Sequence, residues 1–337
     1  MNIIVVFYAY LIGDWENILD KRLRRFITSG LYEEATEFIV VVTDHDNNPD
    51  KVRTFCSKFP KIKLEYHQNN NLYEYYALNK ISDLASTYPK AGLMYFQLKG
   101  LTNISFRNFT KKTLSLEKMK CAESYLEMLQ YILIDDWRKC VNKLQENFSI
   151  VGVNKINAQW YGNVWWARTD YLVNNKRFTF NPEEDSRWKC ELWLMMDNPT
   201  HFLPQVKFYE FFSFWADNYY STFPKSLYNG IDRNNLEFNI VKAYYGYFAE
   251  AQHELSPIKV DYNIMYDVTE DIVEFFKNCD KSKIYIKKSY EDIFNGNYKE
   301  LDKRLKIYYQ INTEPNIVHV MSSIPTTRER ELGKIEI

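Results

Sequence analysis

A chain of 337 residues is long enough for one large or two modest domains, and 46% hydrophobic with 26% charged residues excludes an intrinsically disordered protein. The formal net charge of -1 leaves no basic excess to neutralise phosphates, which argues against a dedicated nucleic-acid binder. Five cysteines (Cys56, Cys121, Cys140, Cys190 and Cys279) lack C-x-x-C spacing, which excludes a cysteine-based zinc site and fits a reducing compartment.

The apolar start "MNIIVVFYAYLIG" has no basic n-region and is too short to span a bilayer, so it is expected as a strand of a cytosolic protein with no transmembrane segment. Both "NIIVVFYAYL" and "EFIVVVTD" are β-branched runs with almost no polar alternation, the pattern of strands buried on both faces of a parallel sheet. Between them, "NILDKRLRRFITSGLYEEA" sets Ile18, Leu19, Leu23 and Phe26 at helical spacing and ends near Ser29-Gly30. This is one βαβ unit. Next, "NPDKVRTFCSKF" predicts a second helix, "KIKLEYH" a third strand, "LYEYYALNKISDLASTY" a third helix and "AGLMYFQLKG" a fourth strand. The class predicted is α/β, with an open, mostly parallel twisted sheet flanked by helices.

From Leu114 to Asn147 the pattern is helical, strongest in "AESYLEMLQYILIDDWRKCVNKLQ", after which "SIVGVN" and "GNVWWARTDYL" return to short strand character. Beyond Ile258, "IKVDYNIMYDVTEDIVEFFKNC", "SKIYIKKSY" and "LKIYYQI" predict strands around one helix, and a domain boundary is expected near Leu255-Ser256-Pro257. The histidines (His45, His67, His201, His253, His319) form no H-x-x-x-H or H-E-x-x-H pattern, and no G-x-S-x-G, P-loop or G-x-G-x-x-G occurs. Hydrolase and dinucleotide chemistry of those kinds therefore lacks sequence support.

The order of pieces from Phe38 to Gly100, "EFIVVVTDHDNNPDKV", "KIKLEYHQNNNLYEYYALNKISDLA" and "AGLMYFQLKG", resembles the nucleotide-sugar half of GT-A-type glycosyltransferases. In that family a strand ends in an acidic cluster and is followed by a helix and a strand. A polar loop then enters a helix carrying A-x-N, and the next strand ends in Asp-x-Asp. The segments "SGLYEEAT", "YEYYALNKI", "YFQLKG" and "GNVWWARTDYL" are further similar to viral and bacterial surface-polysaccharide transferases. The stretch "MYDVTEDIVEFF" through "LKIYYQI" resembles a small accessory domain found beside such enzymes. The resemblance implies a GT-A-like domain over 1–255, with a nucleotide-sugar half 1–110 and an acceptor half 111–255, and a small α/β accessory domain over 256–337. The activity implied is transfer of a hexosyl or deoxyhexosyl unit from a nucleoside-diphosphate donor to a glycan or glycoconjugate acceptor. Its setting would be the cytoplasm of a bacterium or of an infected host cell.

One departure from the family pattern directs the chemistry. Gln97-Leu98-Lys99 stands where Asp-x-Asp would bind the metal that bridges the donor diphosphate, and neither Gln97 nor Lys99 suits a hard divalent cation. A lysine ammonium supplies the positive charge needed as the diphosphate departs, so Lys99 is expected at the diphosphate, with Gly100 allowing close backbone approach. The alternative is a solvated lysine in a strand-end turn. No cofactor is expected on this basis.

Asp44 and Asp46 lie at the carboxyl end of the second strand, the edge where open α/β sheets bind ligands, and the resemblance puts them with Tyr8 on the donor side. Two rivals stand beside that role: a turn-forming Asp pair, and Asp44-His45-Asp46 as itself the Asp-x-Asp that holds Mn or Mg. Glu74 and Asn79, on the helix after the polar loop, also fall on the donor side by resemblance; Glu74 would touch the sugar, and Asn79 would do so or bond a neighbouring loop. The acceptor side is expected from Gly162, Asn163, Trp165 and Trp166. Indole faces suit sugar rings, and strand alternation lets only one of the two tryptophans face the site, leaving the other in the core.

If the reaction inverts the anomeric centre it needs a base, for which Glu191 is the candidate, with Arg187 one helical turn earlier to orient it or meet a phosphate. Asp185 and Asp197 are reserves, and a surface ion pair is the alternative. A second class of function is a transferase-like scaffold that binds glycans without turnover. A third is a glycoside hydrolase with two carboxylates flanking the bond.

Overall fold

Residues 1–68, 72–98, 116–153, 155–156, 159–173, 181, 184–185, 188–194, 207–211, 223, 225, 228, 238–246, 265–267, 269–270, 273–274, 284–285, 304–311, 314–322 and 334–335 are described by the structure, a computed structural model. Lys99, Gly100, Arg187, Asp197 and the expected boundary at Leu255–Pro257 lie outside them.

Unbroken apolar sequence becomes strand buried on both faces. β1 (Ile3–Leu11) leads through α1 (Trp15–Thr28) and the short α2 (Leu31–Glu34) to β2 (Glu37–Asp44). The first crossover turns at Gly30, whose φ of 78° is a conformation that costs glycine little. α3 (Pro49–Cys56) joins β2 to β3 (Ile62–Gln68), and α4 (Tyr75–Thr87) joins β3 to β4 (Gly92–Gln97). The chain continues in α5 (Leu116–Gln130), a π-helical turn at Tyr131–Asp135 and α6 (Trp137–Gln145). It then forms β5 (Ile150–Gly152), a small hairpin of β6 (Lys155–Ile156) and β7 (Gln159–Trp160), and a 3-10 turn at Tyr161–Asn163. After the turn come β8 (Trp165–Arg168), α7 (Thr169–Leu172), α8 (Trp188–Leu192) and β9 (Phe208–Glu210).

Seven strands form one sheet in the order β3-β2-β1-β4-β8-β5-β9. β8 runs antiparallel to both its neighbours, and every other pairing is parallel, so the class is α/β with a mixed, mostly parallel sheet. β1 is paired on one side from Ile4↔Glu37 to Leu11↔Asp44 and on the other from Ile3↔Gly92 to Tyr8↔Gln97.

Alternation along the strands divides the core into two layers. Phe7 and Phe96 meet Phe26 of α1 with ring centroids 5.7 and 5.8 Å apart, and Phe26 meets Phe38 edge-on at 5.2 Å. On the opposite face Val6, Val41, Leu93, Tyr95 and Trp165 pack with Ala77, Leu78 and Ile81 of α4.

The segment expected as continuous helix from Leu114 to Asn147 is interrupted at its middle. Asp136 N–H reaches back five residues to Tyr131 O at 2.9 Å, while Leu133 O accepts the Trp166 indole N–H at 3.0 Å. A π-turn of this kind widens the helix by one residue and frees it to meet a side chain from elsewhere. The segment "GNVWWARTDYL" likewise is strand only over Trp165–Arg168, because Thr169 N–H and Oγ1 bond to Ala91 and begin α7.

The chain divides into two compact units: Met1–Lys112 with Leu129–Phe211, and Thr113–Met128 with Phe212–Ile337. The first contains the seven-stranded sheet. In the second, β10 (Phe238–Gly246), β11 (Met265–Asp267), β12 (Ile284–Tyr285), β13 (Arg304–Ile311), β14 (Glu314–Ser322) and β15 (Lys334–Ile335) follow one another. They give an antiparallel four-stranded sheet in the order β11-β10-β13-β14 and a separate β12–β15 pair. β10 therefore shares a sheet with strands from beyond residue 257. Among the described residues no helix is long and apolar enough to cross a membrane.

Candidate functional site

Strand order reverses at β1: β2 and β3 lie to one side, β4 and β8 to the other. In an open α/β sheet a crevice opens outside the carboxyl ends of the strands at such a reversal. Here those ends are Leu11, Asp44 and Gln97.

Beside β1 and β2 the edge is aromatic and acidic. Tyr10 is partly buried, and its hydroxyl is 3.1 Å from Nδ1 of the exposed His45, with the rings edge-on at 6.3 Å. Burial, then the charge of Asp46, then Tyr73 raise the Tyr10 phenol above its usual range, which ties all three residues to one locality. Asp46 is exposed. Tyr73, 44% exposed, has a φ of 49° just before α4, an uncommon conformation for an aromatic residue.

Asp44 is different, being 2% exposed. Its Oδ1 accepts the Asp46 N–H at 3.1 Å, and its Oδ2 accepts the Asn48 N–H at 2.6 Å and the Tyr66 hydroxyl at 3.0 Å. These bonds fold the loop, with Asn47 at a φ of 52°, in the manner of an Asx-turn. The Tyr66 phenol is pushed up to about 12, by burial and then by its bond to Asp44. Three donors thus fill most of the about four lone-pair sites of the Asp44 carboxylate. Among the described residues no group of three or more His, Cys, Asp or Glu side chains is placed to hold a metal.

Beneath the end of β4 lies a buried polar group. Gln97 donates from Nε2 to Gly162 O at 2.8 Å. Gly162 and Asn163 are consecutive left-handed residues, with φ of 79° and 49°. Asn163 donates from Nδ2 to Glu74 Oε2 at 2.6 Å and accepts the Trp165 indole N–H on Oδ1 at 3.1 Å. The same Glu74 Oε2 accepts the Tyr95 hydroxyl at 2.8 Å. Burial first, then the Glu74 charge, lifts the Tyr95 phenol well above its ordinary range. Tyr8 is buried alongside, its hydroxyl 3.4 Å from Thr43 Oγ1, and burial raises its phenol as well.

The structure thus brings Tyr8, Glu74, Gln97, Gly162, Asn163 and Trp165 together beneath the sheet edge, with Asp44 and Asp46 at the next strand end. Trp166 points to the other face, toward Leu133 O. Both tryptophans are fully buried, so both indoles, rather than one, lie in the core. Asn79 is half-buried further along α4. Glu191 is half-buried on α8 beside Cys190, whose thiol is raised by burial and then by the charge of Glu74. Asp185 accepts the Asn181 N–H at 2.8 Å and Lys189 Nζ at 2.9 Å, and these donors, in that order, lower its pKa.

Sequence reasoning missed Tyr10, Tyr73, His45 as a ring partner, and Tyr95. Tyr10 had a usable signal, since it shares a strand face with Tyr8 two residues earlier. The left-handed backbone at Tyr73 left none. No protein-family profile matches the chain, and no curated protein is significantly similar to it.

Proposed function

We propose that the chain is a glycosyltransferase of GT-A-like fold that moves a sugar from a nucleoside-diphosphate donor to a glycan or glycoconjugate acceptor. The observation that carries this reading is the reversal of strand order at β1 with an aromatic and acidic rim, Tyr10, His45 and Asp46 at the ends of β1 and β2 and Tyr73 just before α4. Tyrosine and histidine rings offer flat faces to a base, and an exposed carboxylate accepts hydrogen bonds from base N–H or ribose hydroxyls. Gln97 and Leu98 lead directly into Lys99, so a lysine follows the end of the strand beside the reversal.

In the proposed reaction the acceptor oxygen bonds to the anomeric carbon and the diphosphate leaves with the bonding pair. Lys99 meets the charge that develops on it, and Glu191, oriented by Arg187, takes the acceptor proton. Aspartate pairs are absent from this scheme, and no step passes through a metal.

Calorimetric binding of UDP, GDP and their sugars, each with EDTA and with excess Mn2+, tests it on wild type and Lys99→Ala. Binding is expected to survive EDTA and to weaken by about tenfold or more, equivalent to about 1.4 kcal/mol, in Lys99→Ala. Absence of nucleotide binding under every condition overturns the transferase and leaves a glycan-binding scaffold as the better reading.

A further inference from the structure

We propose that Glu74 is a positioning residue: its carboxylate, clasped by Tyr95 and Asn163, holds the left-handed Gly162–Asn163 turn against the end of β4. The consequence for donor binding rests on the function proposed above; the clasp itself rests on geometry alone.

Glu74 stands at the start of α4 and is only 8% exposed, and Asn163 is 3% exposed. A carboxylate is costly to bury unless hydrogen bonds replace its water, and bonds to an ionised oxygen are the short, strong ones. Here a single oxygen, Oε2, takes two, at 2.8 Å from Tyr95 and 2.6 Å from Asn163.

The amide of Asn163 is used at both ends, since its Oδ1 accepts the Trp165 indole N–H. Asparagine tolerates a positive φ better than most residues, but glycine would meet that requirement more easily. What glycine lacks is the side chain that reaches Glu74. The turn is therefore tied twice: Asn163 to the start of α4, and Gly162 O to Gln97 at the end of β4. Leu98 N–H in turn bonds to Tyr8 O at 3.1 Å, so the chain leaves β4 toward Lys99 from a braced position. Backbone strain of this kind persists where the surroundings over-determine it, and it gathers at functional sites.

A reciprocal swap tests the clasp. Asn163→Asp sets two carboxylates where an amide and a carboxylate now lie 2.6 Å apart; they repel when both are ionised, and the pair relaxes once it holds one proton. Affinity for whichever of UDP or GDP the wild type binds is expected to fall by about tenfold at about pH 8 and to recover toward about pH 5 as one proton is shared. The double variant Glu74→Gln/Asn163→Asp exchanges the groups, so that the amide at position 74 donates to the carboxylate at position 163. It should restore affinity to within about threefold and remove the pH dependence.

Among the described residues, Tyr8 on β1, Tyr95 on β4 and Cys190 on α8 are titratable groups that face Glu74. All three are raised above their ordinary values, so they stay neutral across that interval. Glu191 lies beside Cys190 on α8 and is left unchanged in every variant.

The Trp165 indole proton resonance, assigned by its loss in Trp165→Phe, gives a readout that needs no nucleotide. It should move in the single variant at about pH 8 and return in the double variant. Should Asn163→Asp not fold at that pH, recovery of a folded protein with the wild-type indole shift in the double variant counts equally. An unmoved indole and unaltered affinity in the single variant, or a double variant no better than the single, overturns the clasp. A wild type that binds neither nucleotide, with the indole shift behaving as expected, overturns the transferase and leaves the clasp standing.

Discussion

Asp44 shows how a residue's type can be legible while its role is not. An acidic residue before "HDNNP" marks a strand-end turn, but a free ligand contact and a turn-former carry the same letter. Asn48 N–H and the Tyr66 hydroxyl bond to Asp44 and fold the turn, and Asp46, two residues on, is exposed at the rim. Gly152 gives a sharper case. A methyl group there would lie 2.4 and 2.7 Å from ring carbons of Trp160, and a buried indole has little room to retreat. Gly152→Ala should destabilise the protein by about 1–3 kcal/mol through overpacking, read as a lower urea midpoint at unchanged m-value. Adding Trp160→Leu should recover part of the loss; a double variant as unstable as the sum of the two single changes contradicts this explanation.

The first helices are announced by their own ends. In α3, Asn48 precedes Pro49, and its Oδ1 accepts the Lys51 N–H at 3.2 Å as an N-cap. Asn48→Ala should lower stability by about 1 kcal/mol and Asn48→Gly by only a few tenths, because glycine still suits the cap backbone. Equal losses in thermal unfolding would mean that the cap bond contributes little. The break between α5 and α6 carries no comparable signal. Helical period runs through Tyr131–Asp135, and the π-turn becomes intelligible only once the Trp166 indole is seen against Leu133 O. Propensity cannot anticipate a partner that comes from another strand.

Acid sensitivity belongs to the whole chain, because it sums over carboxylates from separate elements. Glu37 is held below its usual range although burial alone would raise it, since bonds from Lys63 and Tyr88 outweigh that effect. Glu65 is lowered by His67 and Lys80, and Asp170 by Arg168, in each case against a smaller cost of burial. A group with a depressed folded pKa stabilises the fold fully above its unfolded value, and loses that contribution as pH falls through the folded one. Stability toward urea should therefore vary little between about pH 7 and about pH 5 from these groups and decline below about pH 4. In Tyr88→Phe the deficit relative to wild type should be largest above about pH 5 and shrink in acid. A deficit independent of pH would remove Glu37 from the explanation.

Sequence alone determined the alternation of strand and helix through the first four strands, and β2 coincides with the run "EFIVVVTD" residue for residue. A strand buried on both faces must be apolar throughout and an amphipathic helix must repeat near every third or fourth residue, so both leave a local pattern. That order also pointed to the carboxyl edge as the place to look for a ligand. Only the tertiary structure decided that β8 enters the sheet antiparallel between β4 and β5, with its two tryptophans buried on opposite faces. Only there does Glu74 meet Asn163, 89 residues along the chain. Periodicity reports that a face is buried; which distant group covers it is set by sheet order and register, which no short stretch of sequence contains.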